Sequence, residues 1–584
     1  MNSSRLRFAL LCASCLLAGC GDDGAQMMPA ADLAIPPAAD LVPPPAAAAA
    51  RTTAIHYEVA LDLPTRIATT RVTLRVDQPG NCVTIGFRAG APSDVKLDGV
   101  PASPGETVTD TMAGTMTACR AGHALWAAGE KAVLSVTAEI PKSTIGASQV
   151  GFSTRSDANG KPFSYLVSWI NGCDHHGPCD AAPDRFATYK FVVTSADGEQ
   201  VLCPGTITVN GKVTTCDFQL DGGGPTYSTF GVAAGRSWTP KSLGSWDGID
   251  VTLYDYPQTQ IGAAFDTAIA SKHMAWMQSL LGPYPYGKAL RLVVAPTYWL
   301  GFEHPGNIVL AQNLVTQKAQ LPWSDSLRHV TMHEVAHQWA GDHATLAGTY
   351  DFFWKEATAE YLTYVFEEEQ IAPAEGRVTL EYWKSIAAAS RYYPVPGEKP
   401  PLFTYYGDAY GEGPMVLYRQ LEVMYSREKV LAAAKKLLSS SGPPRAVSVD
   451  DFRRGLEASL GTRLTGYFDA WMRGTGAPAW PTAKITTTDM GGGDVKVAVD
   501  VNTADGVPRG CAFKVRLHEA GGMGSYDVPV NLGPDGARFT PVVVKPGFVV
   551  ASAELDPLSE CLIYPSSGLT RPRPPVTPWV APGN

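Results

Sequence analysis

"HEVAHQWAGD", residues 333–342, places two histidines four positions apart, with a glutamate directly after the first. On a helix, positions i and i+4 share one face, so His333 and His337 can direct their imidazoles at one ion while Glu334 points beside it. A catalytic zinc needs three protein ligands and an open position for water. The stretch therefore predicts a metal site whose third ligand lies elsewhere in the chain.

The residues around the motif predict a buried helix. Ser324 and Asp325 are both good N-cap residues, and the helical run "LRHVTMHEVAHQWAG" ends at Gly341. Apolar residues occur nearly all round this helix, which indicates that it is buried. Because buried imidazoles need polar partners, both histidines must have ligands or hydrogen bonds.

A second strong helix is predicted from about Asp351 through "FFWKEATAEYLTYVFEEE". It places Glu356 and Glu360 four positions apart on one face. Either carboxylate could complete the metal site, and the other could support the ligands by hydrogen bonding or lie on the helix surface.

The composition is that of a globular protein with several domains. A chain of 584 residues is too long for one core and favours about three or four domains. It is 45% hydrophobic and 18% charged, and its 57 glycines and 46 prolines favour turn-rich β structure. The formal net charge of -9 has the wrong sign for a nucleic-acid-binding protein, so we expect no nucleic-acid partner.

Residues 1–19 are predicted to be an export signal. Two arginines precede an apolar run, residues 8–17, that is too short to span a bilayer. The end of the segment, "LAGC", resembles the lipobox of bacterial lipoproteins, which implies cleavage before Cys20 and lipid attachment to its sulfur. A plain signal peptide with an incidental cysteine is the alternative. Residues 20–52 are rich in alanine and proline and are predicted to be a tether. We therefore expect an exported protein, lipid-anchored to the cell envelope at a bacterial outer membrane.

Eight cysteines follow Cys20 and fall along the chain in four separated couples, as expected for disulfides in an oxidising compartment. Free buried thiols are the alternative. The stretch "CDHHGPCD", residues 173–180, has residue types that bind metals, but its spacing fits no common tetrahedral site and favours a small disulfide loop. The predicted bridges are Cys82–Cys119, Cys173–Cys179, Cys203–Cys216 and Cys511–Cys561.

The hydrophobic pattern divides the mature chain into three domains. Alternating runs separated by Gly, Pro and Asp turns predict an all-β domain at 53–246. Helices dominate the segment 247–478, which also contains a strand at 290–296. Strands return at 479–584 as a small β-sandwich followed by a tail. The fold class is α+β multidomain.

"HEVAHQWAGD", eighteen residues, and then the glutamate of "WKEATAEY" resemble the aminopeptidase N family of gluzincin zinc peptidases. That family has HExxH, eighteen residues, and a glutamate ligand. The resemblance implies that His333, His337 and Glu356 hold one zinc ion and that Glu334 is the general base. It also implies that the mainly helical domain is thermolysin-like.

A second resemblance lies upstream, where "LGFEH", residues 300–304, is similar to the GAMEN-type motif of this family. It implies that Glu303 binds the free amino group of a peptide and that Gly301 contributes to substrate binding. Leu300 and Phe302 replace the glycine and methionine of the motif, which changes the wall near the first side chain of the substrate.

Downstream, "AYGEGPMVLYRQL", residues 409–421, resembles the family's tyrosine-x-x-glycine segment at the start of a helix. The resemblance nominates Tyr410 to stabilise the oxyanion, with Gly413 as the matching glycine. Tyr405 and Tyr406 are close enough in sequence to be confused with Tyr410.

The family's pattern is not kept everywhere. Lys355 and Ala357 replace the usual asparagine and glycine around the third ligand, and Asn171 is only a guess for the amino-group-binding glutamine of the first domain. We expect a zinc-dependent aminopeptidase with peptide substrates. The alternatives are a zinc endopeptidase with the same centre, if the first domain leaves the cleft open, and a non-catalytic envelope binding protein.

Overall fold

The computed structural model describes residues 48–567, except 103, 104, 106, 144–150, 298, 317–320, 388–389, 394–397, 401, 403–404, 407–412, 475 and 477. The predicted export signal, Cys20 and most of the tether lie outside these residues, as does Tyr410. In the part that is described, no helix is both long enough and apolar enough to cross a membrane.

The N-terminal region is built from sheets around a long antiparallel pair, Arg51–Asp62 and Ile67–Gln78. Buried and exposed residues alternate along the second of these strands, because only one face of the sheet covers the core. The nine-stranded sheet adds Ser93–Leu97, Val100–Pro101, Lys131–Glu139, Phe186–Thr194, Thr206–Asn210, Val213–Phe218 and Gly224–Pro225. A three-stranded sheet contains Cys82–Gly86, Thr107–Asp110 and Thr115–Cys119. A four-stranded sheet contains Gly151–Ser156, Pro162–Val167, Gln200–Leu202 and Gly231–Gly235.

The four predicted disulfides are confirmed. Cys82 and Cys119 lie directly opposite each other on paired strands. Cys173 and Cys179 are six positions apart and close a small disulfide loop. Both cysteines of "CDHHGPCD" are therefore used in a bridge, and that stretch is not a thiolate metal site.

A five-stranded mixed sheet begins the mainly helical region. Its strands, in spatial order, are Thr239–Trp246, Ile249–Asp255, Ala289–Ala295, Asn307–Ala311 and Gly301–Phe302. The first two strands form a hairpin whose turn residues, Asp247 and Gly248, both have positive φ (49° and 86°), as a type I′ turn requires. This hairpin spans residue 246, where the alternation of the sequence predicts a domain boundary.

Among the described residues, one short helix precedes this sheet along the chain, two lie between its second and third strands, and the others follow it. They are Thr226–Thr229, Ile261–Ala264, Thr267–Leu281, Ser326–His337, Phe352–Gln370, Pro373–Ala387, Met415–Met424, Arg427–Leu438, Val449–Leu460 and Thr465–Trp471. A short parallel pair of strands, Ala344–Leu346 with Arg445–Val447, joins the segment after the helix Ser326–His337 to the segment before the helix Val449–Leu460.

Two of these helices carry the candidate metal ligands. The histidine helix, Ser326–His337, begins after Asp325, whose side chain accepts a hydrogen bond from the backbone N–H of Arg328 at 3.0 Å. The glutamate helix, Phe352–Gln370, packs against it. Both helices have largely buried residues on every side, as the sequence predicts for the first of them.

The C-terminal region is a β-sandwich, as predicted. One sheet contains Val542–Val544, Asp494–Asn502, Thr482–Gly491 and Tyr564–Pro565, and the other contains Ser525–Asn531, Ala512–Glu519 and Val550–Leu555. It contacts the helical region through an ion pair between Lys384 and Asp556 and through the Trp471 indole, which donates to the Gly510 carbonyl at 2.8 Å.

Candidate active site

Two histidines and one glutamate bring three potential ligand atoms to one point. The Nε2 atoms of His333 and His337 are 2.9 Å apart, and Glu356 Oε2 lies 3.7 Å from the first and 3.2 Å from the second. Within the described residues, these side chains are the one group of three His, Cys, Asp or Glu residues whose ligand atoms all lie within 4.8 Å of one another.

The other nitrogen of each imidazole faces a hydrogen-bond acceptor. His333 Nδ1 lies 2.8 Å from Glu360 Oε2, and His337 Nδ1 lies 3.0 Å from the carbonyl oxygen of Ala340. A ring nitrogen that donates to an acceptor carries the proton, so the neutral tautomer leaves Nε2 of both rings with a free lone pair. Two lone pairs at 2.9 Å repel each other unless a cation lies between them.

These distances fit zinc. With Zn–N bonds of about 2.0–2.1 Å and tetrahedral angles, ligand atoms are expected about 3.4 Å apart. The observed separations of 2.9, 3.2 and 3.7 Å lie around that value. The donor set of two neutral imidazoles and one carboxylate is also one that catalytic zinc sites use.

Glu360 supports the first ligand, and a second buried histidine supports Glu360. His329 lies one turn before His333 on the histidine helix, with Nε2 at 3.1 Å from Glu360 Oε1 and Nδ1 at 3.1 Å from Glu367 Oε2. The Trp383 indole also donates to Glu360 Oε1 at 2.6 Å. Burial lowers the pKa of His329, but its two carboxylates outweigh burial and raise it to about 9. This imidazolium holds the pKa of Glu360 well below its usual range despite burial, so Glu360 stays ionised and accepts from His333.

Glu334, the predicted general base, is buried at the edge of the ligand cluster. Its Oε2 has no hydrogen-bond partner among the described residues. Burial raises the pKa of Glu334 well above its usual value, and the nearby carboxylates Glu303 and Glu356 raise it further, while His333 and Lys355 oppose them. The carboxyl group therefore has a high affinity for a proton.

Gly301 lies directly against this carboxylate. A Cβ atom on Gly301 would be 2.2 Å from Glu334 Oε1 and 2.6 Å from its Cδ and Cγ. Glycine is thus required here because the side chain of Glu334 fills the space that any other residue needs.

Glu303 lies beside the ligand cluster and is paired with a buried lysine. Lys355 Nζ is 2.8 Å from Glu303 Oε1 and 2.5 Å from Glu356 Oε1, and the lysine side chain is only 2% exposed. Burial lowers the pKa of Lys355, but the two carboxylates raise it well above its usual value. Glu356 thus uses its two oxygens differently, since Oε2 faces the histidines and Oε1 accepts from Lys355.

The sequence shows Lys355 only as a departure from the family's pattern. No local signal links it to Glu303, which lies 52 positions earlier, but a lysine inside an otherwise buried run of the glutamate helix indicates an ion pair. His329 gives a similar signal, because it lies one helical turn before the motif and on the same face.

The three candidate ligands, Gly301, Glu303, His329, Glu334, Lys355 and Glu360 all line one cleft of about 490 Å³ that is open to solvent. Tyr406 also lines it, with its ring edge-to-face against Trp169 at 5.3 Å, whereas Tyr405 is fully buried against Tyr350 and Tyr393. Tyr410 lies outside the described residues, so its role stays a prediction.

Asn171 is bound elsewhere. Its side-chain amide donates to Thr349 Oγ1 at 2.9 Å, and its backbone carbonyl accepts from Arg88 at 2.7 Å. The described residues that line the cleft do not include Asn171.

Part of this chain is similar to known proteins. Residues 265–393 match the model of the peptidase family M1 domain, which includes the histidine helix and the glutamate helix. A glutamyl aminopeptidase from Bitis rhinoceros is 25% identical over 364 residues, which are 58% of this chain and 37% of that protein. The chain therefore spans little more than a third of the length of this relative.

Solved structures share the fold. An aminopeptidase A from Legionella pneumophila, in complex with aspartic acid, superposes with a TM-score of 0.66 at 13% identity, over 88% of this chain and 59% of that one. An M1 zinc metallopeptidase variant from Deinococcus radiodurans has a TM-score of 0.55 at 17% identity, over 70% of this chain and 92% of that one.

Proposed function

The chain carries a peptidase family M1 domain, and from that premise we propose that it is a zinc-dependent aminopeptidase that removes N-terminal residues from peptides. The observation that carries the proposal is the convergence of His333 Nε2, His337 Nε2 and Glu356 Oε2 beside the buried carboxylate of Glu334. The aminopeptidases among its relatives support the same reaction class.

Zinc, when bound to these three residues, would lower the pKa of a water molecule to about 7 and polarise the carbonyl group of the substrate. Glu334 supplies the proton transfers. Its carboxylate accepts a proton at Oε2 as the water attacks and then delivers this proton to the nitrogen of the leaving amine. The raised pKa of Glu334 suits a group that must hold the proton between these two steps.

Glu303 would select chain ends. Lys355 faces Oε1 of this carboxylate, and the second oxygen is left to accept from the ammonium group of a substrate. An ammonium held there places the first peptide bond of the substrate beside Glu334, which fixes the reacting groups in one geometry. Tyr410 is proposed as the hydroxyl donor to the oxyanion.

The test is the variant Glu334→Gln, with Glu381→Gln as its matched control on an exposed face. Metal content by elemental analysis and turnover of aminoacyl reporter substrates are measured for both variants and the wild type. We expect Glu334→Gln to bind one zinc ion and to lose nearly all turnover, and Glu381→Gln to keep both. Wild-type turnover by Glu334→Gln would exclude this glutamate as the base.

One observation favours a second candidate, a zinc endopeptidase. The Lys355 ammonium already neutralises part of the charge of Glu303, which weakens the attraction for a substrate amine. Peptides with a free and with an acetylated N-terminus distinguish the two functions. Hydrolysis of free peptides alone supports the aminopeptidase, and equal hydrolysis of both supports the endopeptidase.

We also propose that the protein is lipid-anchored to the cell envelope through Cys20. The lipobox-like "LAGC" supports this location, and the four disulfides agree with an oxidising compartment. Full-length protein and Cys20→Ala are compared in a bacterial host for labelling by a fatty acid. Labelling of the wild type and loss of the label in the variant support the anchor, whereas an unlabelled wild type contradicts it.

A further inference from the structure

The cleft above the candidate metal ligands is lined by aromatic side chains in two groups. One group contains an edge-to-face pair, Trp169 with Tyr406 at 5.3 Å, and a tilted pair, Trp299 with Phe302 at 5.5 Å. The other group is built on Tyr382, which contacts the rings of Trp323 at 5.6 Å and Trp383 at 4.8 Å. Trp299, Tyr382 and Tyr406 are partly exposed and line the cleft, so a ligand in the cleft can contact them.

The Trp299–Phe302 pair of the first group borders the position of the N-terminal residue of a substrate. Phe302 directly precedes Glu303, the proposed partner of the substrate amine, and Gly301 packs on Glu334. The Cα of the first residue must lie between the amine that Glu303 holds and the carbonyl that is attacked beside Glu334. Its side chain therefore leaves the backbone next to the Trp299–Phe302 pair.

The charges of the cleft do not favour an acidic side chain. Apart from the candidate zinc ligands, the described lining residues include two cations, and each already lies between two carboxylates. Lys355 is paired with Glu303 and Glu356, and His329 with Glu360 and Glu367. A carboxylate on the substrate would therefore find aromatic rings and cations that are already paired, in place of a cationic partner of its own.

We propose that the cleft selects peptides whose N-terminal residue is aromatic or large and aliphatic, and that Trp299 and Tyr406 determine this preference. This inference rests on the proposed aminopeptidase function. Aromatic side chains bury about 150–250 Å² and gain further from edge-to-face contacts with other rings, so a phenylalanine side chain gains far more from these walls than an alanine methyl group.

The experiment measures kcat/KM of the zinc-loaded full-length protein on aminoacyl-coumarin amides of Phe, Trp, Leu, Ala, Glu and Lys. We expect Phe to exceed Ala, Glu and Lys by at least about 100-fold, since each additional methylene in an apolar pocket changes the rate by about 10-fold or more. Equal rates on Phe and Ala, or a preference for Glu or Lys, would overturn the inference while leaving the aminopeptidase function intact. Failure to cleave any of the six amides would contradict the proposed function itself.

Two variants assign the preference to the walls. Trp299→Ala and Tyr406→Ala are expected to lower the ratio of kcat/KM for the Phe substrate to kcat/KM for the Ala substrate by about 10-fold or more. Tyr526→Ala is the control, because this partly exposed tyrosine lies on the C-terminal sandwich. If both wall variants keep the wild-type ratio of Phe to Ala, the two side chains do not determine specificity and the assignment fails. Circular dichroism and zinc content show whether each variant is folded.

Discussion

Replacing Lys355 by methionine removes a buried cation while nearly keeping the volume and length of the side chain. Lys355, Glu303 and Glu356 are exposed by only 2%, 5% and 6%. Glu303 Oε1 and Glu356 Oε1 lie 2.8 and 2.5 Å from the Lys355 ammonium nitrogen. Neither carboxylate can turn towards water without breaking the local packing. Removing one partner of a buried ion pair costs about 3–5 kcal/mol, because the remaining charge is left uncompensated.

The expected cost depends on the metal. With zinc bound, Glu356 still faces a cation and only Glu303 is left unpaired, so the free energy of unfolding should fall by about 3–5 kcal/mol. Without zinc, both carboxylates lose their partner, and the loss should be larger. The variant should therefore also bind zinc with a changed affinity, since the ion and Lys355 stabilise the same carboxylate.

Urea unfolding of wild type, Lys355→Met and the exposed control Lys436→Met, followed by circular dichroism with excess zinc and with a chelator, measures these differences. The control should lie within about 0.5 kcal/mol of the wild type in both conditions. Wild-type stability of Lys355→Met in both conditions would refute the argument that the lysine compensates two buried charges. An equal decrease in the free energy of unfolding with and without zinc would refute the argument that Lys355 compensates the charge of Glu356.

Three further predictions concern the neighbours of the site. Gly301→Ala should keep its zinc, by elemental analysis, but lower kcat by at least about 10-fold, because the added methyl group displaces the Glu334 carboxylate and even small misplacements of a reacting group are costly. Protonated His329 stabilises the fold fully below pH 6.5, and this contribution should be lost as the pH rises through about 9. Urea unfolding across that range should show that the free energy of unfolding falls by about 3 kcal/mol in the wild type. The His329→Asn variant should lack this decrease. Tyr410→Phe should lower kcat by about 100- to 1000-fold with little change in KM, if its hydroxyl binds the oxyanion.

The parts of the site that the sequence predicts well depend on local geometry. The i, i+4 spacing of His333 and His337 fixes their common face once the segment is helical, and Asp325 caps that helix because a cap needs only the next three residues. Each of the four disulfides joins a cysteine to the next cysteine along the chain, so pairing consecutive cysteines is sufficient to predict them.

Other parts depend on contacts between distant segments. The ion pair of Lys355 with Glu303 joins the glutamate helix to a short strand at the sheet edge, and no periodic pattern connects them. The boundary at residue 246 illustrates the same limit at the level of domains. Alternation predicts β structure up to that residue, but it does not show that Thr239–Trp246 pairs forward with Ile249–Asp255 instead of backward with the first domain.

The environment of the cleft favours Glu334 as the proposed base independently of the motif. Burial raises the pKa of each of its four glutamates, but for three of them neighbouring basic groups together more than offset burial. These groups are chiefly Lys355, with His337, for Glu303 and Glu356, and His329, with His333, for Glu360. Only Glu334 keeps a pKa well above its usual value, because the nearest carboxylates add to burial. Acid and base roles are assigned where neighbouring groups have their pKa values shifted in opposite directions. The cleft therefore favours the ionised form of three carboxylates, as their proposed roles of ligand, ligand support and amine site require, and gives the fourth the affinity for a proton that the proposed base needs.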